Sequence, residues 1–242
     1  MYTLRTWFNT LIIGPLAIVW LFVSGLLAAP FLLLFPDKTG RRVRRFVYLQ
    51  SRGIMFFVRL CARKFTVRPL PHPSTPCIVV ANHASALDLY TVSVLGFRHV
   101  LYITKGWVFK LPFFRFVMRG AGYVDAEKTP PEEMLALCKR GLENGCDIVL
   151  FPQGSRKNPQ ARFKSGAFYL AEMLQVPVIP VAISGTEEML PSGSLCLHPA
   201  NITLTTLPAV NAADFNGPVV HLEMARTVRK QIMDVVNKEN VK

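Results

Sequence analysis

A histidine and an aspartate stand five residues apart, where an apolar run of the chain stops. The stretch reads IVVANHASALDLY from Ile78 to Tyr90 and contains His83 and Asp88. A carboxylate that holds one imidazole nitrogen fixes the tautomer, which leaves the other nitrogen free as a general base. The spacing therefore predicts proton transfer, with His83 as the base and Asp88 as its orienting partner.

The same stretch also has a purely structural interpretation. Ser85 and Asp88 have the S-x-x-D spacing of a capping box, in which the serine caps a helix and the acid closes the box. In that interpretation Asn82 and His83 are loop residues. The two interpretations are compatible, because a helix capped by Ser85 would carry Asp88 in its first turn. No G-x-S-x-G motif is present in the sequence, so the hydroxyl that His83 activates is expected to belong to a substrate.

A second polar segment follows another apolar run, and it reads FPQGSRKNPQARFKSGA over residues 151–167. Gly154 allows the backbone to approach a ligand closely. Donors and positive charge come from Ser155, Arg156, Lys157, Arg162 and Lys164. Because guanidinium groups bind phosphate bidentately, the segment predicts a phosphate site. The alternative is a solvated basic turn.

These two segments need a sheet to bring them together. Short apolar or β-branched runs predict strands at Cys77–Ala81, Val100–Ile103, Asp147–Phe151, Val178–Ile183 and Ile202–Leu207. Helices are predicted at Ala86–Leu95, Pro131–Asn144 and Ser165–Leu174, with a last helix from about Pro218 to Lys238. The alternation predicts an α/β domain over residues 65–242, with a mixed, mostly buried sheet flanked by helices. The catalytic pair would lie at the carboxyl end of a strand, where α/β sheets place active sites.

Residues 1–64 are predicted to form a membrane anchor of two helices. The apolar part, residues 7–35, carries no charged residue and is long enough to cross a bilayer, although Gly14, Pro15 and Pro30 interrupt it. A single span, a broken hairpin in one leaflet and a signal peptide all fit this pattern.

The second anchor helix, residues 40–64, is amphipathic and basic. On a helix, one side carries Arg41, Arg45, Arg52, Arg59 and Arg63. The opposite side carries Val43, Phe46, Val47, Ile54, Phe57, Val58 and Cys61. The pattern favours a helix in the membrane interface with its arginines toward headgroups, and the alternative is a helix packed on the domain. If the first helix spans the membrane, the arginines place the domain in the cytoplasm.

Composition agrees with a membrane partner. Hydrophobic residues make up 51% of the chain and charged residues 18%, and the formal net charge is +13. Residues 1–64 hold ten Lys and Arg against one acid, Asp37. A basic excess beside an apolar run favours an anionic membrane surface over nucleic acid. The five cysteines are scattered without metal-ligand spacing, which predicts free thiols and no metal site.

The ordered motifs resemble those of the 1-acylglycerol-3-phosphate acyltransferase (lysophosphatidic acid acyltransferase) family, bacterial type. The resemblance rests on Asn82-His83-x4-Asp88, an HX4D motif, and on Phe151-Pro152-x-Gly154-Ser155-Arg156. The block from Lys105 to Asp125 and the VPVIPV segment at 176–181 look like two further motifs of the family. The resemblance covers about residues 65–210, and the N-terminal anchor resembles the two-helix motif of bacterial members.

The resemblance implies a membrane-bound enzyme of phospholipid biosynthesis. It would move a fatty acyl group from acyl-CoA or acyl carrier protein to the free hydroxyl of 1-acyl-glycerol-3-phosphate, without a metal or a cofactor beyond the thioester. Its catalytic residues would be His83 and Asp88. We predict substrate binding by Asn82, Ser85, Lys105, Gln153, Gly154, Ser155, Arg156 and Lys164. The expected partners are a phospholipid surface, a lysophospholipid and the thioester carrier, with the domain on the cytoplasmic side of a bacterial inner membrane.

Two positions depart from the family's pattern. Gln153 stands where the family usually has Glu, and Ala126 stands where it usually has Arg. Gln keeps the shape and one acceptor oxygen but loses the charge, and Ala126 removes one cationic contact to phosphate. These departures keep open an acyltransferase for another lysolipid, such as a lyso-ornithine or other amino-lipid, or a remodelling enzyme. A non-catalytic lipid-binding protein on the same fold is disfavoured by the intact His83 and Asp88.

Overall fold

One twisted sheet organises the protein. The computed structural model describes residues 3–35, 37–110, 112–156 and 158–240. Within these ranges, seven strands form a sheet in the order β1-β7-β6-β2-β5-β3-β4. The strands are β1 Lys64–Arg68, β2 Ile78–Ala81, β3 Val100–Thr104, β4 Val124–Asp125, β5 Asp147–Leu150, β6 Val178–Ser184 and β7 Asn201–Thr206.

The direction of the strands decides where the site can form. The five strands β6-β2-β5-β3-β4 are mutually parallel, whereas β7 runs antiparallel to β6 and parallel to β1. At the centre, Val79 pairs with Val149 of β5 and with Ile179 of β6. Parallel strands end at one edge of a sheet, so the segments after β2, β3, β4, β5 and β6 meet there.

Helices cover both faces of the sheet, which confirms the predicted mixed α/β fold. They are α1 Leu4–Phe8, α2 Gly14–Leu34, α3 Arg41–Cys61, α4 Asp88–Thr91, α5 Pro112–Gly120, α6 Pro131–Glu143, α7 Gly166–Leu174, α8 Thr186–Met189 and α9 Val220–Asn240. Strand β2 shows how the layers are made, because alternate side chains point to opposite faces. Val79 and Ala81 pack in the core under α3, and Ile78 and Val80 pack in the core under α7 and α9.

The N-terminal helix is longer and more regular than its sequence suggested. A five-residue turn of π-helix, Asn9–Ile13, joins α1 to α2, so the chain is helical from Leu4 to Leu34. Pro15 lies in the first turn of α2, and Pro30 lies within the helix without ending it. By length and composition this helix can cross a membrane, and only 11% of its most apolar window is buried. It is therefore not a core helix of the domain, and it indicates membrane association.

The apolar face of helix α3 packs against the domain. This is the alternative drawn from its sequence, a helix packed on the domain. Among the buried residues of this face are Val43, Ile54, Met55, Val58 and Cys61. The opposite, exposed face carries Arg41, Arg45, Arg52 and Arg59 together with Leu49, Phe56 and Leu60. The arginines thus face away from the domain, and a membrane could contact only this outer face.

Close packing joins α2 to α3. The indole of Trp20 lies directly against Gly53, where any Cβ atom would overlap it. One turn farther along α2, the Ser24 hydroxyl accepts a hydrogen bond of 2.7 Å from the amide of Gln50. A glycine at the crossing and a satisfied polar pair let two helices approach in an apolar environment.

We expect Gly185→Ala to destabilise the fold by about 2–5 kcal/mol. Gly185 joins β6 to α8 with a φ of +83°, and a Cβ atom there would overlap the carbonyl oxygen of Asn201 on β7. Gly193→Ala is the matched control, because its φ is +85° but nothing lies within 4 Å of the added atom. It should cost only the conformational strain, about 1–2 kcal/mol. Chemical denaturation of both variants measures the difference, and equal losses would contradict the steric argument.

Candidate active site

The histidine and aspartate predicted to act together are in contact. His83 follows β2 at the carboxyl edge of the sheet, and its Nδ1 lies 2.8 Å from Oδ2 of Asp88. Asp88 is the first residue of α4 and is fully buried, whereas the side chain of His83 is 14% exposed. No hydrogen-bond partner of Nε2 is found among the described residues. The arrangement leaves Nε2 of a neutral His83 as a proton acceptor on the open side of the ring.

The carboxylate of Asp88 is held on both oxygens. Oδ2 also accepts hydrogen bonds from the backbone N–H groups of Ala84 at 2.7 Å and Ser85 at 2.8 Å. The contact with the Ser85 N–H matches one half of the predicted capping box, but the prediction that Ser85 caps the helix was wrong, because α4 begins at Asp88 and the Ser85 hydroxyl donates to Leu190. Oδ1 accepts a hydrogen bond of 2.6 Å from the hydroxyl of Thr186. Four donors hold this buried carboxylate in one direction.

A cavity of about 860 Å³ opens beside His83. Strands β2, β3, β4 and β5 each deliver residues to its wall at their carboxyl ends, as the topology requires. Six of the ten predicted site residues line it: His83, Lys105, Gly154, Ser155, Arg156 and Lys164. Apolar residues such as Leu89, Trp107, Phe114 and Met134 form another part of the wall. The cavity can therefore hold a ligand with a charged end and an aliphatic part.

The other three predicted substrate contacts hold the loop that carries His83 instead of lining the cavity. The side-chain amide of Asn82 donates to the carbonyl of Ile183 at 2.7 Å, and its oxygen accepts from the N–H of Ile183 at 2.8 Å. It thus continues the β2–β6 pairing by one side chain. The hydroxyl of Ser85 donates to the carbonyl of Leu190 at 2.9 Å. Both side chains are buried, so the geometry assigns them to positioning the loop.

Gln153 is the third of these predicted substrate contacts, and it links the loop that carries His83 to the basic segment after β5. Its Oε1 accepts a hydrogen bond from the backbone N–H of His83, and its Nε2 donates to the carbonyl of Pro159 at 2.5 Å. The side chain is buried. An amide accepts on one side and donates on the other, which an ionised carboxylate cannot do, and this gives a physical reason for Gln at this position.

The basic segment after β5 turns sharply at Gly154, whose φ is +66°. The side chain of Lys164 crosses this glycine, and its Nζ would lie 3.3 Å from an added Cβ atom. Arg156 and Lys164 therefore reach the cavity wall from opposite ends of the segment. Arg162 is exposed but is not on the wall, and Lys157 lies outside the described residues.

Sequence reasoning missed Thr186, the donor to Asp88. The signal that could have found it is its place in the topology. Ser184 ends β6, and Thr186 follows it at the edge where His83 follows the neighbouring strand β2. A polar residue directly after a buried parallel strand belongs on the list of site candidates.

A separate polar cluster lies at the opposite, amino edge of the sheet. Asp147, the first residue of β5, accepts from His72 at 2.8 Å and from the backbone N–H of Cys77 at 3.2 Å. Burial lowers the pKa of His72, but the hydrogen bond and the charge of Asp147 outweigh it and raise the pKa above its usual value. Burial also raises the pKa of the Cys77 thiol. These contacts join the loop between β1 and β2 to β5.

We expect Gln153→Glu to destabilise the protein by about 1–3 kcal/mol, because a carboxylate cannot donate to the Pro159 carbonyl and would repel it. Gln160→Glu makes the same chemical change on an exposed side chain of the same segment and should have little effect. Thermal unfolding of both variants measures the difference. The loss should shrink as the pH is lowered, since a protonated Glu regains a donor. Equal stability of the two variants at neutral pH would count against the bridging role.

Three comparisons with known proteins agree on a family. The model of the family described as Acyltransferase matches residues 62–184, about half of the chain, and the match contains His83, Asp88 and the basic segment. The chain is 33% identical over 189 residues to the 1-acyl-sn-glycerol-3-phosphate acyltransferase BAT2, chloroplastic, of Brassica napus, covering 76% of this chain and 54% of that protein.

Other relatives carry the same description. A 1-acyl-sn-glycerol-3-phosphate acyltransferase of Chlamydomonas reinhardtii is 32% identical over 200 residues, covering 78% of this chain and 58% of that protein. The chain spans about half the length of the plant and algal relatives it matches. The crystal structure of the 1-acyl-sn-glycerophosphate (LPA) acyltransferase PlsC from Thermotoga maritima superposes with a TM-score of 0.77 at 22% identity, covering 100% of this chain and 99% of that one. That likeness establishes the fold.

Proposed function

The chain belongs to the acyltransferase family, and we propose that it transfers a fatty acyl group from a thioester of coenzyme A or acyl carrier protein to the free hydroxyl of 1-acyl-glycerol-3-phosphate. The product would be phosphatidic acid. The observation that carries the proposal is the Asp88-held His83 on the wall of a cavity that also presents Lys105, Arg156 and Lys164.

The geometry supports a single transfer step without a protein nucleophile. The acceptor's hydroxyl proton passes to Nε2 of His83 while its oxygen forms a bond to the thioester carbonyl carbon. Collapse of the tetrahedral intermediate breaks the C–S bond, and Nε2 returns the proton to the departing thiolate. Asp88 stabilises the imidazolium that exists between these two events. The three cations would bind the acceptor's phosphate, and the apolar part of the wall would take an acyl chain.

We further propose that the N-terminal helix pair attaches the enzyme to one side of a membrane. Helix α2 and the turn before it touch the domain at three places: Thr10 accepts a hydrogen bond from Leu197, Leu21 packs on the central core, and Leu32 packs against the cluster that joins α3 to Val117 and Tyr123. A helix that crossed the bilayer would carry one end roughly 30 Å away from a domain outside it. Contact from end to end supports an anchor that lies along the surface of the domain, with its outer face in lipid.

A second acceptor class is favoured by one residue of the wall. Glu127 follows β4 and lines the cavity next to Ala126, so the wall carries one acid besides its cations. A carboxylate there would attract an ammonium group, which fits an amino-lipid acceptor such as a lyso-ornithine lipid. Glu127→Gln should then slow transfer to the amino-lipid and leave transfer to lysophosphatidic acid unchanged. Glu132→Gln, on the exposed first turn of α6, is the matched control.

The test uses the full chain in vesicles of phosphatidylethanolamine and phosphatidylglycerol. The thioesters of a labelled fatty acid with CoA and with acyl carrier protein are supplied in separate reactions. Each reaction contains lysophosphatidic acid and a lyso-ornithine lipid in competition. Labelled phosphatidic acid is the expected product. If only the amino-lipid is labelled, the acceptor is an amino-lipid and not lysophosphatidic acid. If no lipid is labelled with either donor, both proposed acceptors are wrong.

A further inference from the structure

Thr186 is bound to the catalytic pair although it contacts neither the cavity nor His83. Its hydroxyl donates to Oδ1 of Asp88 at 2.6 Å across 98 residues of sequence. Thr186 is fully buried and begins α8, directly after Gly185, the glycine of positive φ that joins β6 to α8. Its position is thus set by β6 and Gly185, and the loop that carries His83 is joined to the same segment through Asn82 and Ser85.

The two oxygens of the Asp88 carboxylate have different partners. Oδ2 receives the three N–H groups of His83, Ala84 and Ser85, all from the loop after β2. Among the described residues, Thr186 supplies the one hydrogen bond to Oδ1. A carboxylate held at one oxygen can rotate about its Cβ–Cγ bond, whereas a donor at the second oxygen from another strand fixes its plane. That plane decides whether Oδ2 meets Nδ1 of His83.

Glu187 is a second possible acceptor for the hydroxyl of Thr186, but it lies farther away than Asp88. Its Oε2 lies 3.4 Å from the Thr186 oxygen, against 2.6 Å for Asp88, and a threonine hydroxyl has only one hydrogen to donate. Burial raises the pKa of Glu187, and the charges of Asp88 and Glu188 raise it further. The hydroxyl hydrogen therefore goes to the shorter contact, at Asp88.

We propose that Thr186 is a positioning residue for acyl transfer, holding the Asp88 carboxylate in the plane that fixes the tautomer of His83. The inference rests on the proposed function, because it assigns His83 the role of base. Loss of the hydroxyl would leave Oδ1 buried and unsatisfied, so the carboxylate would turn toward other donors and the His83 ring would lose its fixed tautomer.

The experiment compares Thr186→Val, which keeps the shape and removes the hydroxyl, with Thr186→Ser, which keeps the hydroxyl and removes a methyl. We expect Thr186→Val to lower kcat about 10- to 100-fold with KM for both substrates unchanged. Thr186→Ser should restore most of kcat, although it loses packing and hence some thermal stability. If Thr186→Val does not accumulate as folded protein, Thr186→Ala takes its place.

A readout that does not depend on activity is the ¹⁵N NMR spectrum of the imidazole nitrogens, assigned to His83 by its loss in His83→Gln. The unchanged chain and Thr186→Ser should show one tautomer, protonated at Nδ1, and Thr186→Val should show a mixture. The inference is overturned if Thr186→Val keeps full kcat or keeps the single tautomer, or if Thr186→Ser is as slow as Thr186→Val. If the unchanged chain transfers no acyl group, the proposed function fails, while the spectra still decide whether Thr186 orients His83.

Discussion

Replacing His83 with Ala lowers kcat for acyl transfer by roughly 10²- to 10⁴-fold, the range that general acid–base catalysis contributes. Alanine cannot take the acceptor's proton where Nε2 stood, so attack on the thioester would have to release that proton to water. KM should change little, because the cationic groups and the apolar wall remain. The measurement is kcat with labelled thioester in vesicles.

A matched control exists on the surface of the same domain. His221 on α9 pairs through Nδ1 with Oε2 of Glu172 at 2.8 Å, the same separation as in the catalytic pair, but it does not line the cavity. His221→Ala therefore removes an equally paired histidine and should leave kcat close to that of the unchanged chain. Full activity in folded His83→Ala, or an equal loss in both variants, would contradict the mechanism.

The second large effect is expected for Asp88→Asn, a loss of roughly 10²- to 10⁴-fold in kcat. Three N–H donors converge on Oδ2, so the amide oxygen of Asn must take that place and its NH₂ group must face Thr186. The loop can then keep its shape, but the imidazolium formed during transfer loses the neighbouring negative charge. The loss should appear in kcat and not in KM.

Glu172→Gln is the control for this variant, because it neutralises the carboxylate that pairs with His221. It should leave both kcat and KM unchanged. The unfolding temperature of Asp88→Asn must be measured alongside, since a buried group is being altered. Unchanged kcat in folded Asp88→Asn would show that the charge of Asp88 has no part in catalysis.

Local sequence patterns were sufficient to predict most of the strands and the class of the fold. Strong apolar runs predicted five strands within one or two residues of their observed ends, and the alternation of strands and helices predicted the mixed sheet. Strands β1 and β4 were missed. β1 pairs with β7 at the edge of the sheet and has a charged residue at each end, Lys64 and Arg68, so its sequence does not resemble that of a buried strand. β4 is only two residues long. Such strands are defined by their neighbours and not by their own composition.

The site was predictable where chemistry is local in sequence. His83 and Asp88 lie within one turn of each other, and their contact has the predicted partners. The role of Gln153 depends on Pro159 and on a backbone group 70 residues away, and the roles of Asn82 and Thr186 depend on β6. No spacing rule in the sequence can give those contacts, because they are set by the order of strands in the sheet. The amphipathic pattern of α3 shows the same limit. It fits an apolar face turned to the membrane as well as an apolar face packed on the domain.

The end-to-end contact of α2 with the domain has a consequence for synthesis on the ribosome. Thr10 meets Leu197, 187 residues later, and β1 cannot pair until β7 is made. At about 5–20 residues per second, translation needs roughly 10–40 s to cover that distance. Throughout this interval α2 can pack on α3 but lacks the surface that the later part of the domain will supply. A nearby bilayer can cover it at once, so we expect the nascent chain to reach the membrane first and to complete its sheet there.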